Sequence, residues 1–124
     1  MKQQTYVGQV VETWESEYKK GLLTFWILLS LHDSDRHARE IKQFIEHEAV
    51  TNLEVDEKSV YRSIGRLRKM GLINHQSVDS PNGGPMLKLN YLTSDGKAAL
   101  RQFYTRNIKQ IFLTQEFTQR TKGL

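Results

Sequence analysis

The stretch EKSVYRSIGRLRKMGLI, residues 57–73, decides the fold of this chain. Its apolar residues recur at the spacing of one helix face: Val60, Ile64, Leu67 and Met70. This spacing predicts an α-helix with a buried stripe, and Asp56 before it is a suitable N-cap. Gly71 stands where the end of a helix favours a residue that can adopt positive φ.

A β-hairpin is predicted directly after this helix, over residues 72–92. Two short runs, 72–78 and 86–92, flank the turn Asp79 to Pro85, which contains Asn82-Gly83-Gly84. Short runs on either side of a glycine-rich turn are typical of paired antiparallel strands.

Helices are predicted on both sides of this unit. Residues 6–20 are amphipathic, and Gly21 is expected to break or bend the helix before the apolar run 22–31. A second core helix, capped by Ser34 or Asp35, ends near His47, and a loop covers residues 49–55. A last helix is capped by Thr93 or Ser94 and carries apolar residues as far as Phe112.

The order helix, helix, helix, strand, strand, helix predicts a mainly α fold with a small β-hairpin, which is a winged helix-turn-helix with extra helices at both ends. We divide the chain into an N-terminal helix (1–20) that is a candidate dimer contact, a winged helix-turn-helix DNA-binding domain (21–92), and a C-terminal dimerisation helix with a tail (93–124).

Composition bounds the function. The 124 residues suit one domain, and the absence of cysteine excludes disulfides and thiolate sites. No stretch is long and apolar enough to cross a bilayer, and no signal sequence is visible, so we expect a cytoplasmic protein without a membrane partner. Residues 11–57 hold 5 basic and 11 acidic side chains, whereas residues 58–124 hold 12 basic and 3 acidic ones. This asymmetry favours a polyanionic partner.

The third helix supplies a surface for that partner. Residues 58–70 contain five basic groups and no acidic one. The candidate DNA-binding positions off the apolar stripe are Lys58, Ser59, Arg62, Ser63, Arg66 and Lys69. Arginine can grip a guanine edge in the major groove, and Ser and Lys can take phosphates or bases. An ordinary solvated helix face is the alternative explanation for the same pattern.

The hairpin adds candidate contacts to the DNA backbone. Its tip is small and polar, so Asn82 and Gly83 can lie beside a sugar-phosphate chain without steric conflict, and Lys88 on the return strand can point toward the same duplex.

Three blocks resemble the PadR family of transcriptional regulators. Residues 57–73 are similar to the family's recognition-helix segment, with a Tyr early in the helix and a Leu–basic–Gly–Leu ending. Residues 91–96, YLTSDG, are similar to the stretch that closes the wing. Residues 21–41 fit the first two helices more loosely, because Ala38 and Arg39 stand where the family usually has a Gly and an aromatic residue.

The resemblance implies a homodimeric, repressor-like regulator of transcription. In such a protein the recognition helix, about residues 57–70, enters the major groove, the wing, about residues 72–92, lies on the backbone, and the C-terminal helix forms much of the dimer interface. It also implies that Tyr61 contacts the DNA backbone. Independent support for a dimer comes from apolar residues on both terminal helices, which exceed what one small core needs.

Other chemistry is weakly represented. No phosphate loop, nucleophile motif or metal-ligand spacing is present, so we expect no enzyme, catalytic residue, metal or cofactor. Trp14 and Trp26 are candidates to bind a small aromatic effector, although aromatic residues on amphipathic helices are more often plain core. A winged-helix module that binds a protein partner without reading DNA is the alternative function.

Overall fold

The computed structural model describes residues 5–48 and 55–124, so most of the predicted loop at 49–55 and the first four residues lie outside the described residues. The elements in chain order are α1 (Tyr6–Ser30), α2 (Ala38–Glu48), α3 (Glu57–Lys69), β1 (Ile73–Val78), β2 (Leu87–Leu92), α4 (Ser94–Tyr104), a π-helical turn (Thr105–Lys109), α5 (Gln110–Phe112) and α6 (Gln115–Arg120). This order confirms the predicted mainly α architecture with one hairpin.

The core lies between the second half of α1, helices α2 and α3, the base of the hairpin and the start of α4. Its buried apolar residues are Ile27, Leu28, Leu31, Ile41, Ile45, Val60, Ile64, Leu67, Ile73, Leu92 and Leu100. Because α1, α2, α3, the hairpin and α4 all contribute buried apolar residues to this one cluster, the position of α3 relative to the hairpin is set by packing on both sides.

Helix α1 runs unbroken through Gly21, so the predicted break there is wrong. A single glycine in a helix costs about 1 kcal/mol relative to alanine, too little to end a helix whose neighbours favour it. The first half of α1 lies outside the core, and all described residues from Thr5 to Tyr18 are exposed. The sequence therefore supplies a projecting amphipathic arm.

Helix α2 is capped at its N-terminus by His37, and the predicted caps, Ser34 and Asp35, do not cap it. The His37 N–H donates to Glu40 Oε1 at 3.2 Å, and the Glu40 N–H donates to His37 Nδ1 at 3.3 Å. This reciprocal pair has the form of a capping box with histidine in place of serine or threonine.

Helix α3 begins after Asp56, as predicted, although the Asp56 side chain makes no capping hydrogen bond. Met70 was expected in the buried stripe but is 61% exposed. The reason is that the helix ends at Lys69 and the chain turns at Gly71, whose φ is +80°, which leaves the Met70 side chain on the outside of the turn.

The hairpin is antiparallel, with Ile73 opposite Leu92, His75 opposite Asn90 and Ser77 opposite Lys88. A short bridge attaches it to the chain before α2, because Arg36 and Asn90 exchange backbone hydrogen bonds. The hairpin is therefore held by the start of α2 as well as by α3.

The C-terminal region starts at the predicted cap. Thr93 accepts a hydrogen bond from the Gly96 N–H at 3.0 Å, and its hydroxyl donates to the Gly71 carbonyl at 2.6 Å. The helical path continues to Phe112, as the apolar pattern predicts, but through the π-helical turn. The sequence did not predict the second short helix, α6, that follows Thr114.

Candidate nucleic-acid interface

The exposed side of α3 is basic. The buried residues of the helix are Val60, Ser63, Ile64 and Leu67. At about 100° per residue, the face opposite them is centred on Lys58, Arg62, Gly65 and Lys69. The three basic side chains of this group are exposed. We call Lys58, Arg62 and Lys69 the basic face.

Gly65 lies in the middle of the basic face, and sequence reasoning missed it. A Cβ atom added there would meet nothing within 4 Å, so no packing requirement explains the glycine. The missing side chain leaves the helix backbone accessible between basic neighbours, which is a shape that permits close approach of a ligand.

Arg66 flanks the basic face on the side of α1. Its Nη2 lies 3.4 Å from the Thr24 hydroxyl, and the side chain remains exposed. The weak, long contact leaves most of the donors of the guanidinium available to another partner.

The two serines proposed for this surface differ in position. Ser63 is 7% exposed and faces the core, so its placement off the apolar stripe is wrong. Its angular position is next to Leu67 at the edge of the buried stripe, and helix packing covers it although the residue is polar. Ser59 is half-buried, and its hydroxyl lies 3.5 Å from Asp56 Oδ2 at the start of the helix.

A groove of about 780 Å³ separates α3 from the hairpin. Tyr61, Gly65 and Arg68 line it from α3, while Lys88 and Asn90 line it from β2. Tyr61 is 53% exposed, so its ring is accessible at the wall of this groove. The predicted wing residue Asn82 lines the opposite end, and both Asn82 and Gly83 are exposed.

Unsatisfied polar atoms lie beside the groove, since Arg68 and Asn90 line it and His75 is the strand partner of Asn90. Among the described residues, the buried side-chain polar atoms without a hydrogen-bond partner are Arg68 Nε, His75 Nδ1 and Asn90 Oδ1. Burial away from water and the positive charges of Arg68 and Lys88 hold the pKa of His75 below its ordinary value. The sequence offered a signal for His75, since the alternation of a strand puts it on the same face as Ile73.

The two tryptophans do not share a site within one protomer. They are twelve residues apart on one continuous helix, which separates them by about 18 Å along its axis. Trp14 is 71% exposed on the projecting arm, whereas Trp26 is half-buried with its ring 5.9 Å from that of Phe25. A ligand held by both rings would need more than one copy of the chain.

Apolar side chains remain exposed on both terminal regions. On α1 they are Tyr6, Val7, Val10, Val11, Trp14 and Tyr18, and on the C-terminal helical path they are Phe103, Tyr104, Ile111, Phe112 and Leu113. We call the α1 group the apolar arm. Contiguous apolar surface of this kind marks an interaction site in a small protein.

The described residues, 5–48 and 55–124, hold neither a cluster of metal-ligating side chains nor a membrane-spanning helix. No group of three His, Cys, Asp or Glu side chains there is arranged to hold a metal ion. No helix among them is both long enough and apolar enough to span a membrane.

A three-helix unit with an exposed basic third helix and an adjoining hairpin is a winged helix-turn-helix domain of the DNA-binding type. The model of the transcriptional regulator PadR-like family matches residues 27–102, more than half of the chain. The protein therefore belongs to the PadR-like family of transcriptional regulators, as the sequence blocks indicated. No curated protein matches the sequence significantly.

Solved structures agree with this assignment. A PadR-like transcription factor from Bacteroides fragilis has a TM-score of 0.62 and 29% identity, covering 75% of this chain and 86% of that one. A PadR-like regulator from Bacillus cereus has a TM-score of 0.62 and 26% identity, covering 72% and 84%. The fold is also shared with PadR of Bacillus subtilis in complex with operator DNA, at a TM-score of 0.63 and 20% identity, covering 68% of this chain and 48% of that one.

Proposed function

We propose that this protein is a homodimeric, sequence-specific DNA-binding regulator of transcription that acts as a repressor in the cytoplasm. The observation that carries the proposal is the basic face of α3, because Lys58, Arg62 and Lys69 are exposed together and no acidic side chain interrupts residues 58–70. Such a face would be an unfavourable surface for an apolar protein contact and suits a polyanion.

The dimensions of α3 fit the major groove of DNA. An α-helix with its side chains is about 10–12 Å across, which fits a major groove about 12 Å wide. Lys58 and Lys69 are eleven residues apart, about 16 Å along the helix axis. Arg62 lies between them and is the candidate for reading a base edge, while Lys58 and Lys69 are placed for phosphates at either end. Arg66 and Ser59 extend this surface toward α1. Ser63 is not part of the proposed DNA-contact surface, because it is buried.

The wing and Tyr61 are proposed to hold the DNA backbone. Lys88, Asn82 and Gly83 are exposed next to the groove that Tyr61 lines. Support comes from the shared fold with PadR of Bacillus subtilis, which was solved in complex with operator DNA.

Dimerisation is proposed through the apolar arm and the C-terminal helical path. Val10 and Trp14 are exposed on the arm, and Ile111 and Phe112 on the C-terminal path. Burying such side chains contributes about 25 cal/mol per Å² of apolar surface, which favours a stable interface between two copies. A two-fold dimer presents two α3 helices to an inverted-repeat site about one DNA turn apart. The same interface is where a small aromatic effector could reach both Trp14 and Trp26.

The test is fluorescence anisotropy with a labelled fragment of the gene's own upstream region beside a scrambled duplex, titrated at several salt concentrations. We expect tighter binding to the native fragment, with an affinity that falls steeply as salt rises. Arg62→Ala should cost about 1–3 kcal/mol and relax base preference, whereas Lys88→Ala should weaken both duplexes alike and reduce the salt slope by about 1.

Lys97→Ala is the matched control, because Lys97 lies on α4 and lines a pocket with Phe25 and Leu29 of α1, away from the groove beside α3. Its affinity for both duplexes should equal that of the unmodified protein. An equal loss on both duplexes from Arg62→Ala would contradict base reading by Arg62.

The alternative function is a winged-helix module that binds another protein, and the exposed apolar arm is the observation that favours it. This function predicts no binding to either duplex at low salt. It also predicts a partner affinity that barely changes with salt, because apolar contacts are not screened by ions.

A further inference from the structure

Positive charges from separate elements lie together beside the groove between α3 and the hairpin, which Arg68 and Lys88 line. Arg68 projects from α3 and Lys88 from β2, and both raise the electrostatic potential at the ring of His75 on β1. His75 and Lys88 lie on one face of the hairpin, because His75 is opposite Asn90 and Lys88 is two residues from Asn90 on the same strand.

The polar groups of this region are not satisfied by the protein itself. In the described part of the chain, Arg68 Nε, His75 Nδ1 and Asn90 Oδ1 are buried and lack hydrogen-bond partners. Asn90 is 2% exposed, and its side-chain nitrogen Nδ2 already donates a hydrogen bond to the Arg36 carbonyl at 3.1 Å. These three atoms are closed off from solvent, so a ligand at this place contacts the remaining donors of the half-buried Arg68 and His75 and of the exposed Lys88.

We propose that Arg68, His75 and Lys88 form a cleft that holds a backbone phosphate of the DNA duplex. The inference rests on the proposed DNA-binding function and adds residues to it, since neither His75 nor Arg68 belongs to the basic face of α3. An oxyanion matches Arg68, His75 and Lys88, because Arg and Lys offer only donors and a protonated imidazole offers two more. Asn90 Oδ1, itself an acceptor, is not a partner for the anion.

Binding at this cleft is coupled to the charge of His75. In the free protein, loss of hydration and the two cations favour the neutral ring and hold its pKa below the ordinary value. A phosphate introduces negative charge next to the same ring and raises the pKa again. His75 then takes up a proton when DNA binds, and by linkage the affinity for DNA must rise as the pH falls.

Other charged groups surround the groove, and they do not reverse the expected rise in DNA affinity as the pH falls. Arg39 and His37 line it from the α2 side and Glu57 from the start of α3. His37 is paired with Glu40, its Nε2 lying 3.2 Å from Glu40 Oε1. Because His37 is a second imidazole at this groove, the experiment compares variants as well as the pH profile of the unmodified protein.

The experiment is a DNA-binding titration at pH 6, 7 and 8 and fixed salt, with the labelled upstream fragment and with the scrambled duplex. We expect the unmodified protein to bind both duplexes about three- to tenfold more tightly at pH 6 than at pH 8, less than the tenfold per pH unit that full uptake of one proton allows. His75→Gln should lose most of the gain in affinity between pH 8 and pH 6, because a glutamine side chain takes up no proton. The loss should be the same on both duplexes, because phosphate contacts are independent of sequence.

The matched control is His32→Gln, which removes an exposed imidazole on the α4 side of α1 and should leave the pH dependence unchanged. A second measurement on the unmodified protein avoids any folding defect of the variant. The imidazole of His75 is titrated by NMR in the free protein and in the DNA complex, and its pKa should rise on binding.

The outcomes separate the two proposals. If the protein binds DNA but His75→Gln keeps the full pH dependence, or the pKa of His75 is the same free and bound, the phosphate cleft is wrong and the DNA-binding function stands. If the unmodified protein binds neither duplex at low salt at any pH, the DNA-binding function fails and the cleft fails with it.

Discussion

The junction between the hairpin and α4 gives a sharp test of the fold through Gly96. This glycine is buried in the first turn of α4, and a Cβ added there would lie 1.9 Å from the Leu72 carbonyl oxygen. An ordinary Cβ contact begins near 3.4 Å, so the two groups would have to separate by about 1.5 Å. Gly96→Ala therefore forces α4 away from the base of β1.

The expected loss of stability follows from the hydrogen bonds that cross the junction between the hairpin and α4. The Thr93 N–H donates to the Leu72 carbonyl at 3.1 Å, and the Thr93 hydroxyl donates to the Gly71 carbonyl at 2.6 Å. Overpacking costs about 1–3 kcal/mol, and each weakened hydrogen bond costs about 0.5–1.5 kcal/mol. With both hydrogen bonds weakened, we expect Gly96→Ala to lower the free energy of unfolding by about 2–6 kcal/mol, and the midpoint temperature by roughly 10 °C or more.

Gly65→Ala is the matched control, because its new Cβ meets nothing within 4 Å. Replacing a glycine inside a helix by alanine should raise the free energy of unfolding by about 0.5–1 kcal/mol. Urea titrations followed by far-ultraviolet circular dichroism, at one protein concentration for all variants, measure both effects. A Gly96→Ala protein as stable as the unmodified chain would refute the close approach of α4 to Leu72.

Two further predictions concern the surfaces. Ser63→Ala should leave DNA affinity within about twofold, because Ser63 is buried, and a loss as large as that of Arg62→Ala would mean that α3 meets DNA through a different face. Val10→Lys should shift a dimer toward monomer in analytical ultracentrifugation, since it places a charge in the apolar arm. Glu12→Lys, a change on the same helix outside that arm, is the comparison, and an unchanged dimer in Val10→Lys would exclude the arm from the interface.

The periodic segments of this protein are determined by sequence alone. The helix at Glu57–Lys69, the hairpin around Asn82-Gly83-Gly84 and the cap at Thr93 are all found where the local pattern predicts them. Each depends on interactions between residues close in the chain: helix periodicity, strand alternation, turn geometry and capping. The order of these elements was enough to predict the winged helix-turn-helix.

Positions at the edge of a helix face could not be predicted in the same way. Ser63 is buried and Met70 is exposed, against the expectation from polarity, because the neighbouring elements decide which flank of α3 is covered. The cap at His37 was missed for a related reason, since the bridge of Arg36 to Asn90 determines where α2 can begin. These outcomes depend on contacts between segments distant in sequence.

The candidate site likewise has one part that the sequence predicts and another part that only the tertiary structure shows. The basic residues of α3 could be read from the sequence because helical spacing puts Lys58, Arg62 and Lys69 on one side of one element. The cluster of Arg68, His75 and Lys88 required the tertiary structure, since its members come from α3, β1 and β2 and approach each other only when the hairpin packs beside the helix. Local periodicity therefore determined the elements and their exposed charges, and long-range packing decided which side chains share a site.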